Sequence, residues 1–367
     1  MERCVSSPLI FRSLISYLIS GRSRRATARC CVAGLVCGRM AMVAESLATG
    51  NRAMAAAQAI DPIDPGSWDF EVWAPAKVNL HLEVLGKRID GFHEIETLMV
   101  PIDLYDTLYF REDRKGDVRF SFELTGRYRR LVVNEDENVP EGTDNLVVQA
   151  VELVRRRAGI RAGVQVRLVK RIPLAAGLAG GSSDAAASLI AANRLFDAGL
   201  GLAELRELAA QLGSDVPFFL GPGAAVATGR GEKLSPVGPL PRLHFVIVRP
   251  PEGLSTAQVY QACRPAGRPR RVTSLLNALV QGRLSEAGRQ MFNRLEPAAR
   301  SLSPWIDRLE REMNRFDCLG HQMSGSGTSY FALCRHARHA RGIAAFLQGR
   351  GVGAVYAVAS RRLTTSR

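Results

Sequence analysis

Three segments of the sequence combine residue types and spacings that can do chemistry. The first is Pro173-Leu-Ala-Ala-Gly-Leu-Ala-Gly-Gly-Ser-Ser-Asp-Ala-Ala-Ala187. Gly177, Gly180 and Gly181 permit tight turns and close backbone approach to a ligand. Ser182 and Ser183 suit a helix start, and their hydroxyls can reach a phosphate or a metal. The alanines that follow propagate a helix, and the free N–H groups and positive dipole end of such a helix bind anions. A plain glycine turn into a helix is the alternative reading. The segment is not a Walker A loop, because no Lys follows the glycines, and no protein-kinase catalytic loop occurs in the chain.

The second segment is Ala74-Pro-Ala-Lys-Val-Asn-Leu-His-Leu82, followed by Asp90-Gly-Phe-His-Glu94. In a strand, Lys77 and Asn79 share one face, and Leu80 and Leu82 point to the other. A Lys and an Asn on the inner face of a cleft can hold a phosphate or a hydroxyl; on an outer face they are two solvated polar positions. Only five of the 49 basic residues are lysines, so Lys77 points to a need for a compact ammonium rather than a forked guanidinium. Phe92 and His93 lie in a turn. They can recognise a base by stacking and hydrogen bonding, or they are surface residues. The third segment, Leu212-Gly-Ser-Asp-Val-Pro-Phe-Phe219, sets Asp215 between a helix end and an apolar strand. Facing the glycine loop, Asp215 can accept a proton from a hydroxyl; otherwise it is a cap. Met323-Ser-Gly-Ser-Gly-Thr-Ser329 is a second flexible loop that can close on the phosphates. His336 and His339 read as surface residues of an Arg-rich helix, and no metal-ligand set is legible.

The elements that must position these residues are mixed. Glu71 to Leu85, Thr97 to Ile102, Thr107 to Phe110, Val164 to Val169 and Arg242 to Val248 read as strands. Asn145 to Arg157, Ser182 to Phe196, Leu202 to Leu212 and Ser303 to Phe316 read as helices. Strands and helices do not alternate regularly, which predicts an α+β fold rather than a doubly wound parallel sheet.

The chain has 367 residues, 46% hydrophobic and 23% charged, with net charge +14. That composition excludes disordered, collagen-like and disulfide-stapled classes. No apolar run of about 18 residues lacks a charge, so no spanning helix is supported. The basic surplus reads as a coding bias towards Arg, as phosphate handling, or as nucleic-acid binding. Against the last, no basic stripe is interleaved with aromatics. Residues 1–60 hold eight Arg against Glu2 and Glu45. This leader, 1–66, reads as a transit peptide or as the product of a misassigned start, with Met40, Met42 and Met54 as other starts. It is expected to stand outside the fold. Of seven cysteines, Cys263, Cys318 and Cys334 lie beyond it, too scattered for a disulfide framework or a metal site. A bacterial-type cytoplasmic location follows, or a plastid stroma if the leader is a transit peptide.

Taken in order, Pro75-Ala-Lys-x-Asn-Leu80, the Pro173 to Ala187 loop and Met323-Ser-Gly-Ser-Gly327 resemble the GHMP kinases, which act on galactose, homoserine, mevalonate and phosphomevalonate. Asp90-Gly-Phe-His93, Gly213-Ser-Asp-Val-Pro217, Gly229-Arg-Gly-Glu232 and Pro250-Pro-Glu-Gly-Leu-Ser-Thr256 support the likeness, which runs from about Trp73 to Val358. It is nearest to the members that phosphorylate the 2-hydroxyl of a cytidine diphosphate-linked methylerythritol in the non-mevalonate isoprenoid route. The resemblance implies a two-domain α+β fold, with a ribosomal protein S5-like ATP-binding domain at 67–237 and a ferredoxin-like domain at 238–367. It implies ATP and Mg²⁺, with Pro173, Leu174, Ala175, Ala176, Gly177, Leu178, Ala179, Gly180, Gly181, Ser182 and Ser183 around the ATP phosphates. Asp215 would be the base and Lys77 its partner, with Asn79 beside them. Phe92, His93 and Tyr260 would hold the cytosine, the two aromatics sandwiching it. No nucleic-acid or membrane partner is implied. Rival readings are a kinase for another small alcohol, such as homoserine or mevalonate, or a non-catalytic nucleotide- or RNA-binding relative. Two departures stand out. Ala175, Ala176 and Ala179 replace glycines common in the family, and Arg294 replaces a common Asp, with an altered surface interaction as the expected result.

Overall fold

In the computed structural model, the described residues are 68–361 apart from 114, 126–138 and 141; the leader assigned to 1–66 lies outside them. Alternating small and branched residues from Val72 onward build a long first strand, β1 (Phe70–Lys87), which pairs antiparallel with β2 (His93–Asp113). The two strands expected within 97–110 are one. Pairing jumps from Pro75↔Tyr105 to Ala76↔Ile102, so a bulge absorbs the interruption without ending the strand.

β3 (Val118–Leu124) lies parallel to β4 (Gly163–Lys170), and α1 (Leu146–Ala158) connects them in sequence. Asn145 caps α1 by accepting from the Val147 N–H at 2.8 Å, and Gly159 ends it in the left-handed conformation. Then come α2 (Gly180–Leu195), α3 (Leu202–Leu212), β5 (Ala225–Gly229) and β6 (Lys233–Pro236). With the short β8 (Phe292–Asn293), these strands form a seven-stranded sheet of order β3-β4-β2-β1-β8, with β5 on β2 and β6 on β5. The second sheet has four antiparallel strands in the order β11-β7-β10-β9: β7 (His244–Arg249), β9 (Gly320–Met323), β10 (Tyr330–Cys334) and β11 (Ala354–Ala359). Around it run α4 (Thr256–Ala262), α5 (Thr273–Val280), α6 (Leu284–Gln290), α7 (Glu296–Leu302), α8 (Trp305–Met313) and α9 (Ala337–Gln348). Among the described residues no helix is long and apolar enough to cross a membrane.

Ala76, Val78 and Leu80 of β1 pack with Phe245, Ile247 and Phe331 and so join the two sheets. A second bulge follows. Asn79 pairs with Met99 but His81 pairs with Leu98, which leaves Leu80 as the extra residue. The period-two rule therefore resets. Leu82 does not follow Leu80 to the other face as expected. It joins Val84, Val246 and Val248 in a separate core and lines the same cavity as Lys77 and Asn79. A further correction concerns Pro217–Leu220, which is a 3₁₀ turn rather than a strand. Pro217 fixes φ and lacks the N–H a ladder needs, which suits the first helical position.

Arg294 is also corrected. Rather than altering a surface contact, its guanidinium forks onto Glu83 at 2.6 and 3.0 Å, and the Glu83 side chain is fully buried. Burial works to raise the Glu83 pKa, but the Arg294 hydrogen bonds and the N–H groups of Arg270 and Val84 outweigh it and hold the carboxyl below its usual range. The folded carboxyl is the stronger acid, so its contribution is present above about pH 4.3 and is lost as pH falls through the lowered value. Arg294→Met strands a buried carboxylate and is expected to lower the unfolding free energy by about 3 kcal/mol at neutral pH. Urea denaturation checks this, and a loss under about 1 kcal/mol would mean that solvent already screens the pair.

Candidate active site

Lys77 and Asn79 are buried polar residues of β1, as are His81 and Glu83 further along the strand. The Thr97 hydroxyl donates to the His81 carbonyl at 2.6 Å, which leaves it to accept from Asn79 Nδ2 at 2.8 Å. That fixes the amide, and Asn79 Oδ1 faces Lys77 and accepts from Nζ at 2.7 Å. The same ammonium stands 3.5 Å from Asp215 Oδ2, whose side chain is one-third exposed. Asp215 follows α3 and is held by the 3₁₀ turn after it. A buried cation with one fixed acceptor thus faces a carboxylate that still reaches solvent.

The glycine-rich segment wraps the same space. Its helix, α2, begins at Gly180, with Ala179 at the cap position and no side-chain cap. The expected start at Ser182 is therefore two residues late. Gly180, Gly181 and Ser182 keep N–H groups without partners inside the helix, while the Ser183 N–H bonds the Ala179 carbonyl at 3.0 Å. Gly177 sits at φ +68, and a Cβ there would lie 2.0 Å from the Ser324 carbonyl oxygen. Only glycine lets the loop approach the 324–329 segment so closely. That segment's Gly325, Ser326 and Gly327 reach the cavity, as its composition suggested.

The cavity is about 1090 Å³. Every expected site residue lines it except Leu178 and Ser183. Leu178 is 1% exposed and belongs to the apolar core. Ser183 is also 1% exposed, and its hydroxyl lacks a hydrogen-bond partner among the described residues. Phe92, His93 and Tyr260 line the other end. The His93 and Tyr260 rings are 5.2 Å apart and tilted by 36°. Phe92 is half exposed, with the Arg230 guanidinium 4.7 Å from its ring centre. Burial, then the Lys87 charge, lowers the His93 pKa, so the ring is neutral near pH 7. Burial and the negative Asp215 push the Tyr260 phenol up. Sequence reading missed Arg230, Lys87 and Lys170 in the cavity wall. The signal for Arg230 was its place between two glycines in Gly229-Arg-Gly-Glu232.

No group of three or more His, Cys, Asp or Glu suited to a metal occurs among the described residues. His336 caps α9 instead, its Nδ1 accepting from the His339 N–H at 3.0 Å.

Family models for the GHMP kinases N terminal domain and the GHMP kinases C terminal match residues 145–223 and 275–353. A 4-diphosphocytidyl-2-C-methyl-D-erythritol kinase of Pelotomaculum thermopropionicum is 42% identical over 274 residues, covering 74% of this chain and 91% of the relative. That of Bacillus subtilis is 38% identical, covering 72% and 87%. A solved 4-(cytidine 5'-diphospho)-2C-methyl-D-erythritol kinase superposes with TM-score 0.64 at 37% identity, covering 79% of this chain and 99% of that one. A homoserine kinase from Cytophaga hutchinsonii, at 23% identity and TM-score 0.62 over 80% and 94%, shares the fold.

Of the three alanines that depart from glycine, Ala175 and Ala179 adopt φ +46 and +54, and Ala176 does not adopt a positive φ. A left-handed alanine costs about 1 kcal/mol. Ala175→Gly and Ala179→Gly are each expected to stabilise the fold by about 0.5 kcal/mol once the added chain entropy of glycine is offset. Chemical denaturation of the double variant checks this; a net loss would mean that the alanine methyls make packing contacts worth more than the strain.

Proposed function

The chain belongs to the GHMP kinases, in the branch of the 4-diphosphocytidyl-2-C-methyl-D-erythritol kinases, and from that premise we propose how its cavity carries out the reaction. ATP gives its γ-phosphoryl group to the 2-hydroxyl of 4-diphosphocytidyl-2-C-methyl-D-erythritol. One observation carries the residue assignment: Lys77, Asp215, the Pro173 to Ser182 loop apart from Leu178, and the His93–Tyr260 pair line a single cavity.

Phosphoryl transfer needs mainly positioning and charge stabilisation. The free N–H groups of Gly180, Gly181 and Ser182 hold the ATP phosphates at the positive end of α2. Asp215 takes the proton of the 2-hydroxyl as its oxygen bonds to the γ-phosphorus, and the bond to the β-phosphate oxygen breaks to release ADP. Lys77, 3.5 Å away, offsets the developing charge. Asn79 aims the ammonium. Mg²⁺ neutralises phosphate charge when bound, and the unpartnered Ser183 hydroxyl is a protein oxygen in the first helical turn that suits it. The neutral His93 offers one donor and one acceptor to the cytosine edge, and Tyr260 and Phe92 offer ring faces.

We assign residues 67–237 to the ATP-binding domain and 238–367 to the C-terminal domain. We also place the enzyme in the cytoplasm, which its bacterial relatives and the free thiols of Cys263, Cys318 and Cys334 support.

ADP release from the full chain with Mg-ATP tests the reading, with the cytidyl compound, homoserine and mevalonate as parallel acceptors. Turnover confined to the cytidyl compound is expected; turnover with homoserine or mevalonate alone would overturn the acceptor assignment. Asp215→Asn should lose about 10² or more in kcat while ATP still binds. Near-native turnover in that variant would remove Asp215 from the role of base. The KM for the cytidyl acceptor should stay level from pH 8 to about 6.5 and rise below, because the imidazolium loses its acceptor nitrogen. The KM for ATP should not follow, and His93→Asn should flatten the profile. A profile that His93→Asn leaves unchanged would place the titrating group elsewhere.

A further inference from the structure

Beneath the phosphate loop lies a charged cluster that the mechanism above does not use. Lys170, the last residue of β4, donates from Nζ to Asp106 Oδ2 and to Asp184 Oδ2, each at 2.6 Å. The three side chains are 1%, 0% and 3% exposed. Burial of charge on this scale costs several kcal/mol per ion, so a position holding it is under a strong geometric demand.

The cluster touches both ends of one segment. Asp106 lies in β2. Its Oδ1 accepts from the N–H groups of Arg171 and Ile172 at 2.5 and 2.8 Å, the residues that lead into the loop. Arg171 is tied again to β2 through the Thr107 hydroxyl at 2.7 Å. Asp184 lies in α2, one turn past the free N–H groups. A Cβ at Gly180 would stand 2.9 Å from Lys170 Nζ and 2.9 Å from the Ile172 side chain, so the first residue of the helix rests on the ammonium itself. Lys170 also reaches the cavity wall.

An ammonium under a helix N-terminus opposes the macrodipole. The two carboxylates offset that. Asp184 has no partner on Oδ1 among the described residues, and burial, with the Asp106 charge, raises its pKa despite Lys170. The cluster therefore need not present net negative charge below a phosphate site.

We infer that Asp106, Lys170 and Asp184 are positioning residues for ATP: they fix the start of the phosphate loop to the start of its helix, so that the N–H groups of Gly180 to Ser182 converge on the phosphates. The inference rests on the assignment of this loop to the ATP phosphates. The hydrogen bonds of the cluster run to the residues that lead into the loop and to α2, and none of them to Phe92, His93 or Tyr260, so ATP affinity should depend on it and acceptor affinity should not.

The test measures binding of a non-hydrolysable ATP analogue with Mg²⁺ to the full chain by calorimetry, and the KM of the cytidyl acceptor. Asp184→Leu removes the tether while keeping the γ-branched shape and should weaken the analogue about tenfold, the size of one charge-assisted hydrogen bond. Asp184→Asn keeps an acceptor for Lys170 and should recover most of that loss, to within about threefold of the native value. Should the leucine variant fail to fold, Asp106→Asn serves. It retains Oδ1 for Arg171 and Ile172, turns a donor amide instead of an acceptor towards the Lys170 ammonium, and should weaken the analogue about fivefold. Equal analogue affinity in Asp184→Leu and Asp184→Asn overturns the inference, as does native affinity in Asp106→Asn. A matching rise in acceptor KM also overturns it, since it would reveal a general loss of structure. Failure of the kinase assignment shows separately, as a native chain that binds the analogue but turns over no acceptor.

Discussion

The N–H groups at the start of α2 can bind phosphate only while nothing in the protein uses them. The loop before the helix must therefore be held by its other backbone group. Its carbonyl oxygens do this. Leu178 O accepts from the Lys77 N–H at 3.1 Å, Gly177 O from the Ser324 hydroxyl at 3.0 Å, Ala176 O from the Ser329 N–H at 3.3 Å and Leu174 O from the Arg249 guanidinium at 3.4 Å. Turning successive carbonyls inward demands unusual backbone angles, and Ala175, Gly177 and Ala179 are all left-handed. The strain at the two alanines, the glycine at 177 and the meeting of β1 with the 324–329 segment all follow from keeping that helix start open.

The buried charges sort by the same constraint. Glu83 with Arg294, and Lys170 with Asp106 and Asp184, are closed sets in which each charge has its partner within 2.6 Å. They tie β1 to the segment after β8 and the glycine loop to β2. Lys77 and Asp215 are an open set at 3.5 Å with a one-third exposed carboxylate. An open pair leaves both charges able to take a further partner, whereas a closed pair is confined to holding the chain.

The local features were legible from the sequence, and the long-range ones were not. The Asn145 cap, the alanine helix and the glycine loop are set by neighbours within a few residues, and they fall within two residues of where composition puts them. The face of Leu82 was misread because a bulge at Leu80 depends on pairing with β2, and no residue type announces it. Ser182 read as the helix start because Ser caps well; the loop instead enters through a left-handed Ala179. Arg294 read as a surface departure because its partner, Glu83, lies 211 positions away in sequence. Lys77, Asn79 and Asp215 were found from type and spacing, yet the reason Lys77 points at Asp215 lies in Thr97, whose hydroxyl orients Asn79.

Acceptor choice follows from how polarity is distributed along the cavity. One end offers a cation, a carboxylate and free N–H groups; the other offers Tyr260 and a neutral His93, with Phe92 beneath Arg230. A small acceptor such as homoserine or mevalonate can engage the first end but leaves the donor and acceptor nitrogens of His93 and the aromatic faces to water. On the proposed assignment a cytidyl acceptor uses both ends at once. On the proposed assignment of His93 to the cytosine, its neutral state is part of the selection, because only the neutral ring can both give and take a hydrogen bond along the base edge, and burial with the Lys87 charge favours that state.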